Sequence, residues 1–303
     1  MSLGLRIVKD FKKNSVVYAM ALPMIIFFIV FRYVPMGGII MAFKDYNPRI
    51  GILGSPWAGL RHFHQFLTGF FFWRLVRNTA LINLYSLLFA FPMPILLALL
   101  LNELRVKWFK RVAQTVSYLP HFISTVVFCG IIIDFVSVTG PINYFLGLLG
   151  AERINLLLKP NLFRTIFISS DIWKSAGWGS IIYLAALTRI DPTLYEAAEV
   201  DGASRLMKLM HITIPGISPT IIIMLILRIG SMMSLDFERI ILLYNPVIFE
   251  TSDVISSYVY RVGLQQMNFS LSTAVDFFNS IVNFSLIVFA NWFSRRVSET
   301  SLW

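Results

Sequence analysis

Charge is scarce in this chain of 303 residues: Asp, Glu, Lys and Arg together make up 14%, where about 25% is usual for a globular domain. A water-soluble protein of this length would have too little polar surface to cover its interior. Cysteine is nearly absent. Cys129 stands alone inside an apolar run, which excludes an intrachain disulfide and any cysteine-based metal site. The four histidines, His62, His64, His121 and His211, show no metal-ligand spacing. No G-x-x-x-x-G-K-[ST] loop is present, so the chain has no nucleotide motif of its own. H-E-x-x-H and G-x-S-x-G are missing too, and the one carboxylate pair that could act inside a membrane, Asp134 and Asp171, stands in no recognised catalytic context. Internal repeats of the kind secondary transporters carry are not visible. Without linkers or low-complexity tracts, residues 1–303 read as one domain.

What the chain has in excess is apolar surface. Hydrophobic residues reach 57% and the mean hydropathy is +0.72, which excludes disorder and identifies an integral membrane protein. The net charge of +10 sits in short basic runs beside apolar stretches. That layout suits an anionic lipid surface better than nucleic acid, which calls for a basic face on a soluble domain.

A bilayer core of about 30 Å needs ~20 apolar residues in a helix. Six segments meet that length: 16–41, 79–101, 112–133, 165–188, 217–235 and 277–294. Their internal charges are few: Arg32 in the first, Asp171 and Lys174 in the fourth, Arg228 in the fifth, with Asp134 and Asp276 at span ends. The runs 142–149 and 240–249 are too short and read as interfacial. Arg6, Lys9, Lys12 and Lys13 precede the first span, but its apolar stretch is too long for a cleaved signal peptide. With the N-terminus inside, the cytoplasmic segments hold 13 Lys and Arg in 63 residues against 10 in 100 outside. This bias places both termini in the cytoplasm.

Residues 189–216 are unlike an ordinary connecting loop. Asp191-Pro192 starts a helix, with Asp as cap and Pro in the first turn. Residues 193–200 follow, with Glu196 and Glu199 expected near the positive helix end. Gly202 suits the left-handed residue that closes a helix. A second helix is expected over 204–211, stopped at Ile214-Pro215. Periodicity leaves two readings open: an amphipathic pair lying on lipid, or a rigid knob that docks into a groove on a soluble partner.

These residues resemble a known family. Glu196-Ala197-Ala198, Asp201-Gly202-Ala203 and Ile212-Thr213-Ile214-Pro215 match the EAA loop of ABC-importer permeases at eight positions in register, with Ile214 in place of the usual Leu. Leu206 and Leu209 stand where aromatics are common. Phe43-Lys44-Asp45-Tyr46-Asn47-Pro48, Ser55-Pro56-Trp57, Asn78-Thr79, Tyr118 to Ser124, Trp173-Lys174-x-x-Gly177-Trp178 and Ser301-Leu302-Trp303 extend the likeness over nearly the whole chain. Together they are similar to the maltose-type carbohydrate permeases, in the branch that imports oligosaccharides cut from polysaccharides. Asp276 departs from that branch, which often has Gly there.

The resemblance implies an all-α membrane protein with the type I ABC importer fold, six transmembrane helices and a cytoplasmic coupling loop. It implies a bacterial cell membrane location, a second homologous permease, two ATP-binding subunits and an extracellular solute-binding protein. The permease itself would be non-catalytic and without a cofactor or metal, ATP and Mg being held by the partner ATPases. Peptide or amino-acid permeases share the EAA loop but not the flanking stretches. Glu196, Ala197, Ala198, Asp201, Gly202, Ala203, Leu206, Leu209 and Pro215 would then dock the ATPase.

For the sugar path the candidates are Asp171, Trp173, Lys174, Trp178, Arg228 and Asp276. Intramembrane charges usually face a partner or a wet cavity, and aromatic faces stack on pyranose rings. Asp171 and Lys174, three apart on one helix, also have a simpler reading as a mutually neutralising pair. Trp173 and Trp178 have one as interfacial belt residues. Arg32 reads as a snorkelling side chain, and Pro92, Pro94 and Pro120 as tolerated kinks.

Overall fold

The computed structural model describes residues 13–232 and 236–297, with the Val297 side chain excluded. Arg6, Lys9, Lys12, the expected span end at 235 and Ser301-Leu302-Trp303 lie outside the described residues. The chain forms two compact units, one from residues 1–68 and 262–277, the other from 69–261 and 278–303.

The first unit begins with α1 (Ser15–Phe43), whose apolar faces are exposed throughout. Arg32 is exposed within it. The Phe43–Pro48 and Ser55–Trp57 stretches fold onto each other: Asp45 N donates to the Pro56 carbonyl (2.9 Å), and Phe43 stacks on Trp57 with ring centroids 6.0 Å apart. Asp45 pairs with Arg61 and with His62 at 3.1 Å.

The second unit carries most of the helices. They are α2 (Phe72–Glu103), α3 (Lys107–Tyr118), α4 (Thr125–Val136), α5 (Pro141–Leu148), α6 (Pro160–Leu187), α7 (Pro192–Val200), α8 (Arg205–Gly230), α9 (Phe237–Leu243) and α10 (Ile255–Tyr260). The last helix, α11 (Phe269–Val297), has residues in both units. The core of the second unit gathers Ile82, Phe128, Ile132, Phe163, Phe167 and Ile240 on α2, α4, α6 and α9. A smaller cluster joins Ala98, Tyr183, Leu187 and Ile217 on α2, α6 and α8.

By length and composition five segments among the described residues are able to cross a membrane: Ser15–Phe43, Phe72–Glu103, Thr125–Leu148, Arg205–Gly230 and Phe269–Arg296. The expected span at 165–188 lies in α6. At 28 residues it is about 42 Å long, but Arg164, Asp171 and Lys174 keep it below that apolarity. The expected span at 112–133 is not one helix. Pro120 has no N–H to donate, the chain turns over Leu119–Phe122, and Ser124 caps α4 by accepting from Val127 N. The last helix starts earlier than expected, where Asn268 Oδ1 accepts from Leu271 N at 3.1 Å. Asp276 therefore lies inside a helix and not at a span mouth.

Proline explains three widened turns. The π segments Ile29–Tyr33, Ser86–Ala90 and Leu209–Thr213 each end two residues before a proline, respectively Pro35, Pro92 and Pro215. Looser spacing accommodates a ring that clashes with the carbonyl four residues back and offers no N–H. For this reason Pro215 does not stop the helix as expected. The second helix of the loop runs from Arg205 through the π turn into the body of α8.

Candidate functional site

Residues 189–216 fold as a capped helix, a glycine corner and the start of α8. Asp191 Oδ1 accepts from Thr193 N at 2.9 Å, and that bond holds the Asp191 carboxyl below the usual carboxylate range. At the other end of α7, Gly202 N donates to the Glu199 carbonyl (3.1 Å) and Ala203 N to the Ala198 carbonyl (2.8 Å). This double closure is the Schellman arrangement, and it requires the left-handed residue that Gly202 supplies at φ 75°. Ser204 Oγ then accepts from Met207 N and opens α8.

Glu196 and Glu199 are not at the positive end of α7. The helix has nine residues, with no acid in its first turn. Glu199 instead reaches Lys208 at 3.0 Å across the corner, which lowers its pKa. Tyr195 Oη meets Thr213 Oγ1 at 3.0 Å, tying the two helices together again. Glu196, Ala197, Asp201, Gly202, Leu206 and Pro215 are exposed, while Ala198, Ala203 and Leu209 are half-buried.

Deeper in the unit, a cavity of about 330 Å³ opens between α2, the Leu119–Phe122 turn, α6 and α8. Trp178, His121, Asp171, Ser175, Tyr183 and Arg228 line it. Gly177 makes the first contact possible: a Cβ there would overlap the Ser117 carbonyl. This close approach of α6 and α3 brings the Trp178 indole onto the His121 imidazole, with centroids 4.7 Å apart and planes within 1°. Phe122 meets the same indole edge-on at 5.5 Å.

Asp171 does not pair with Lys174. Its carboxylate lies 3.3 Å from Arg228 Nη2 and 3.2 Å from Arg239 Nη2, and Ser86 Oγ donates to it at 3.4 Å. Arg228 also donates to Ser86 Oγ. Arg239, on α9, is 2% exposed, and its guanidinium covers the Phe167 ring at 4.1 Å. Lys174 turns the other way. Its ammonium donates to Thr125 Oγ1 (3.0 Å) and sits 5.2 Å above the Phe128 ring.

Trp173 is likewise apart from the cavity, packed on Phe128 at 5.2 Å and Phe135 at 6.1 Å. Five residues of helix turn a side chain by about 140°, so Trp173 and Trp178 cannot share a face. Asp276 belongs to the other unit and is exposed. Of the six residues expected on the sugar path, Asp171, Trp178 and Arg228 meet at the cavity.

Arg239, Ser86, Ser175 and Tyr183 escaped sequence reasoning. Arg239 fell in a segment read as external, and its one visible signal was an arginine directly before an apolar run. Asn78 and Thr79 brace the outer segments of this unit. Asn78 Nδ2 donates to the Glu250 and Asp253 carbonyls (2.9 Å each), and Ile255 N donates to Thr79 Oγ1 at 3.1 Å. The Asp253 carboxylate, fully buried, is clamped by Arg74 at 2.8 Å and Arg261 at 2.9 Å. Burial alone would lower the Arg261 pKa, but the hydrogen bonds and charge of Asp253 outweigh it and hold it up.

A model of binding-protein-dependent transport system inner membrane components matches residues 90–299. The polygalacturonan/rhamnogalacturonan transport system permease protein YteP of Bacillus subtilis is 44% identical over 292 residues, covering 96% of this chain and 91% of the relative. Protein LplB of the same organism is 42% identical over 292 residues, or 96% of this chain and 92% of the relative. Among solved structures, a chain of a bacterial ABC transporter involved in import of the acidic polysaccharide alginate superposes with a TM-score of 0.90 at 46% identity, covering 96% of this chain and 99% of that one. A chain from the bacterial alginate ABC transporter in complex with alginate pentasaccharide-bound periplasmic protein gives 0.91 at 46% identity, with 98% and 100% covered.

Proposed function

The chain belongs to the family of binding-protein-dependent transport system inner membrane components, and from that premise we propose how its parts divide the work. It is a multi-pass membrane permease of an ABC importer for oligosaccharides, with the all-helical type I importer fold. We infer that it is one half of a translocation path, completed by a second homologous permease. Two ATPase subunits holding ATP and Mg dock on the exposed face of residues 189–216, and an extracellular binding protein delivers the sugar. Six helices cross the membrane, α6 among them, with both termini in the cytoplasm. The relatives' names point to an acidic cargo.

One observation carries this reading. α8 begins at the Gly202 corner and ends among the cavity residues Met224, Leu227 and Arg228. A push on the loop is thus delivered by a single helix to the place where Asp171 holds Arg228. Nucleotide-driven rocking of docked ATPases would shift α8 against α6 and change the cavity, as alternating access requires. Inside it, the Trp178–His121 pair offers an aromatic wall to a pyranose ring, and Ser175 and Arg228 offer donors to its oxygens.

The test is reconstitution. Vesicles carrying this chain with its second permease and ATPases should take up labelled oligosaccharide only with ATP and the binding protein. The purified chain alone should hydrolyse no ATP. Uptake without the ATPases, or turnover by a verified single-chain preparation, overturns the proposal.

A further inference from the structure

A second cavity, about 570 Å³, lies between α2 and α6 near the end of α6 that starts at Pro160. It shares no lining residue with the cavity at Asp171. One wall is aromatic: Tyr85 and Phe89, one turn apart on α2, have ring centroids 6.3 Å apart. Facing them, α6 presents Asn161, Thr165 and Ser169, each four residues after the last and all exposed. Spacing of four keeps them on one face.

Arg164 completes the lining. Its Nη2 donates to Asn78 Oδ1 at 2.8 Å. Its Nε is buried with no hydrogen-bond partner, and the guanidinium makes no ion pair among the described residues. A row of amide and hydroxyl groups gains nothing from facing hydrocarbon. An arginine without a counter-charge, beside a cavity at the head of a span, calls for an anion from outside the chain. The aromatic wall excludes a purely electrostatic role, because two rings opposite a hydroxyl row match the two faces of a sugar: C–H groups on one side, hydroxyls on the other.

We propose that this groove is an outer sugar subsite that receives a carboxylate-bearing residue of the oligosaccharide before it reaches the Asp171 cavity. Arg164 binds the carboxylate, Asn161, Thr165 and Ser169 bind hydroxyls, and Tyr85 and Phe89 carry the ring. The proposal rests on the oligosaccharide-importer reading above and adds to it a second site and a charge for the cargo.

The experiment uses the complete transporter in vesicles with its binding protein, and trigalacturonate and its methyl ester as probes. Arg164→Gln should raise the KM for the acid about tenfold, the loss of one charge-assisted bond, and leave that of the ester unchanged. Arg164→Lys should raise it less. Thr165→Trp, which fills the groove without touching the bond to Asn78, should slow both sugars. Equal changes for acid and ester in Arg164→Gln would mean that Arg164 only braces Asn78. Normal transport in Thr165→Trp would leave the groove without a role. An Arg164→Gln defect that scales with the anionic lipid content of the vesicles would assign the arginine to a headgroup, and transport of neutral sugars alone by the wild type would remove the carboxylate. Each of these overturns the proposal. If wild-type vesicles carry no member of a panel of acidic and neutral trisaccharides, it is the importer reading that fails.

Discussion

The Asp171 carboxylate lies 3.2 Å from Arg239, which comes from a different helix, and not against Lys174 one turn away on its own. Because Arg239 is almost wholly buried, its charge depends on that partner. Removing one member of a buried pair costs about 3–5 kcal/mol, whereas replacing both by apolar groups is often neutral. Asp171→Ala should therefore lower the thermal unfolding temperature of the detergent-purified protein, and Asp171→Ala with Arg239→Met should restore most of it. A double variant as unstable as the sum of the single ones would mean that the pair is not coupled.

Gly177 permits the contact between α6 and α3 that seats Trp178 on His121. Gly177→Val should push the helices apart and unstack the rings. Indole emission from Trp178 in a variant lacking the other tryptophans reports this directly. An unchanged spectrum, with unchanged uptake, would show that the helices tolerate the side chain by local adjustment.

Trp178 and Trp173 should separate by function. Trp178→Ala removes a cavity wall and should raise the KM for sugar about tenfold while leaving assembly intact. Trp173→Ala removes packing against Phe128 and Phe135 and should lower stability by about 3 kcal/mol with little effect on KM. Sugar-stimulated ATPase activity and thermal unfolding of both variants decide between these outcomes.

Gly202→Val places a β-branched residue at φ 75°, which costs on the order of 1–2 kcal/mol locally. A Cβ at Gly202 meets open space, so the damage should be confined to the Schellman closure and whatever docks there. The expected result is normal membrane insertion with loss of ATPase co-purification. Retention of the ATPases with normal uptake would make this loop a lipid-facing helix pair.

The loop was legible because its determinants are local. Asp191, Gly202 and Ser204 each act on backbone within five residues of themselves, so their identities and spacing are enough to draw it. Its junction with α8 was not, because Pro215 is a stop signal only until a π turn absorbs it. The break at Ile123 within the expected third span was overlooked for the opposite reason. Apolarity over 112–133 outweighed Pro120 and Ser124 when residues were read one window at a time.

Membrane residence, an all-helical fold and the helix–glycine–helix loop follow from the amino-acid sequence by itself, since hydropathy, caps and turn residues work through solvent and near neighbours. The partners of Asp171 and Lys174, the separation of Trp173 from Trp178, and the groove at Arg164 were decided by tertiary structure. A charge at membrane depth has no water to fall back on and takes whichever counter-charge packing brings within about 4 Å. Helical spacing offered Lys174 to Asp171. The packing of α6 against α4, α8 and α9 turned Lys174 toward Thr125 and put Arg228 and Arg239 in its place.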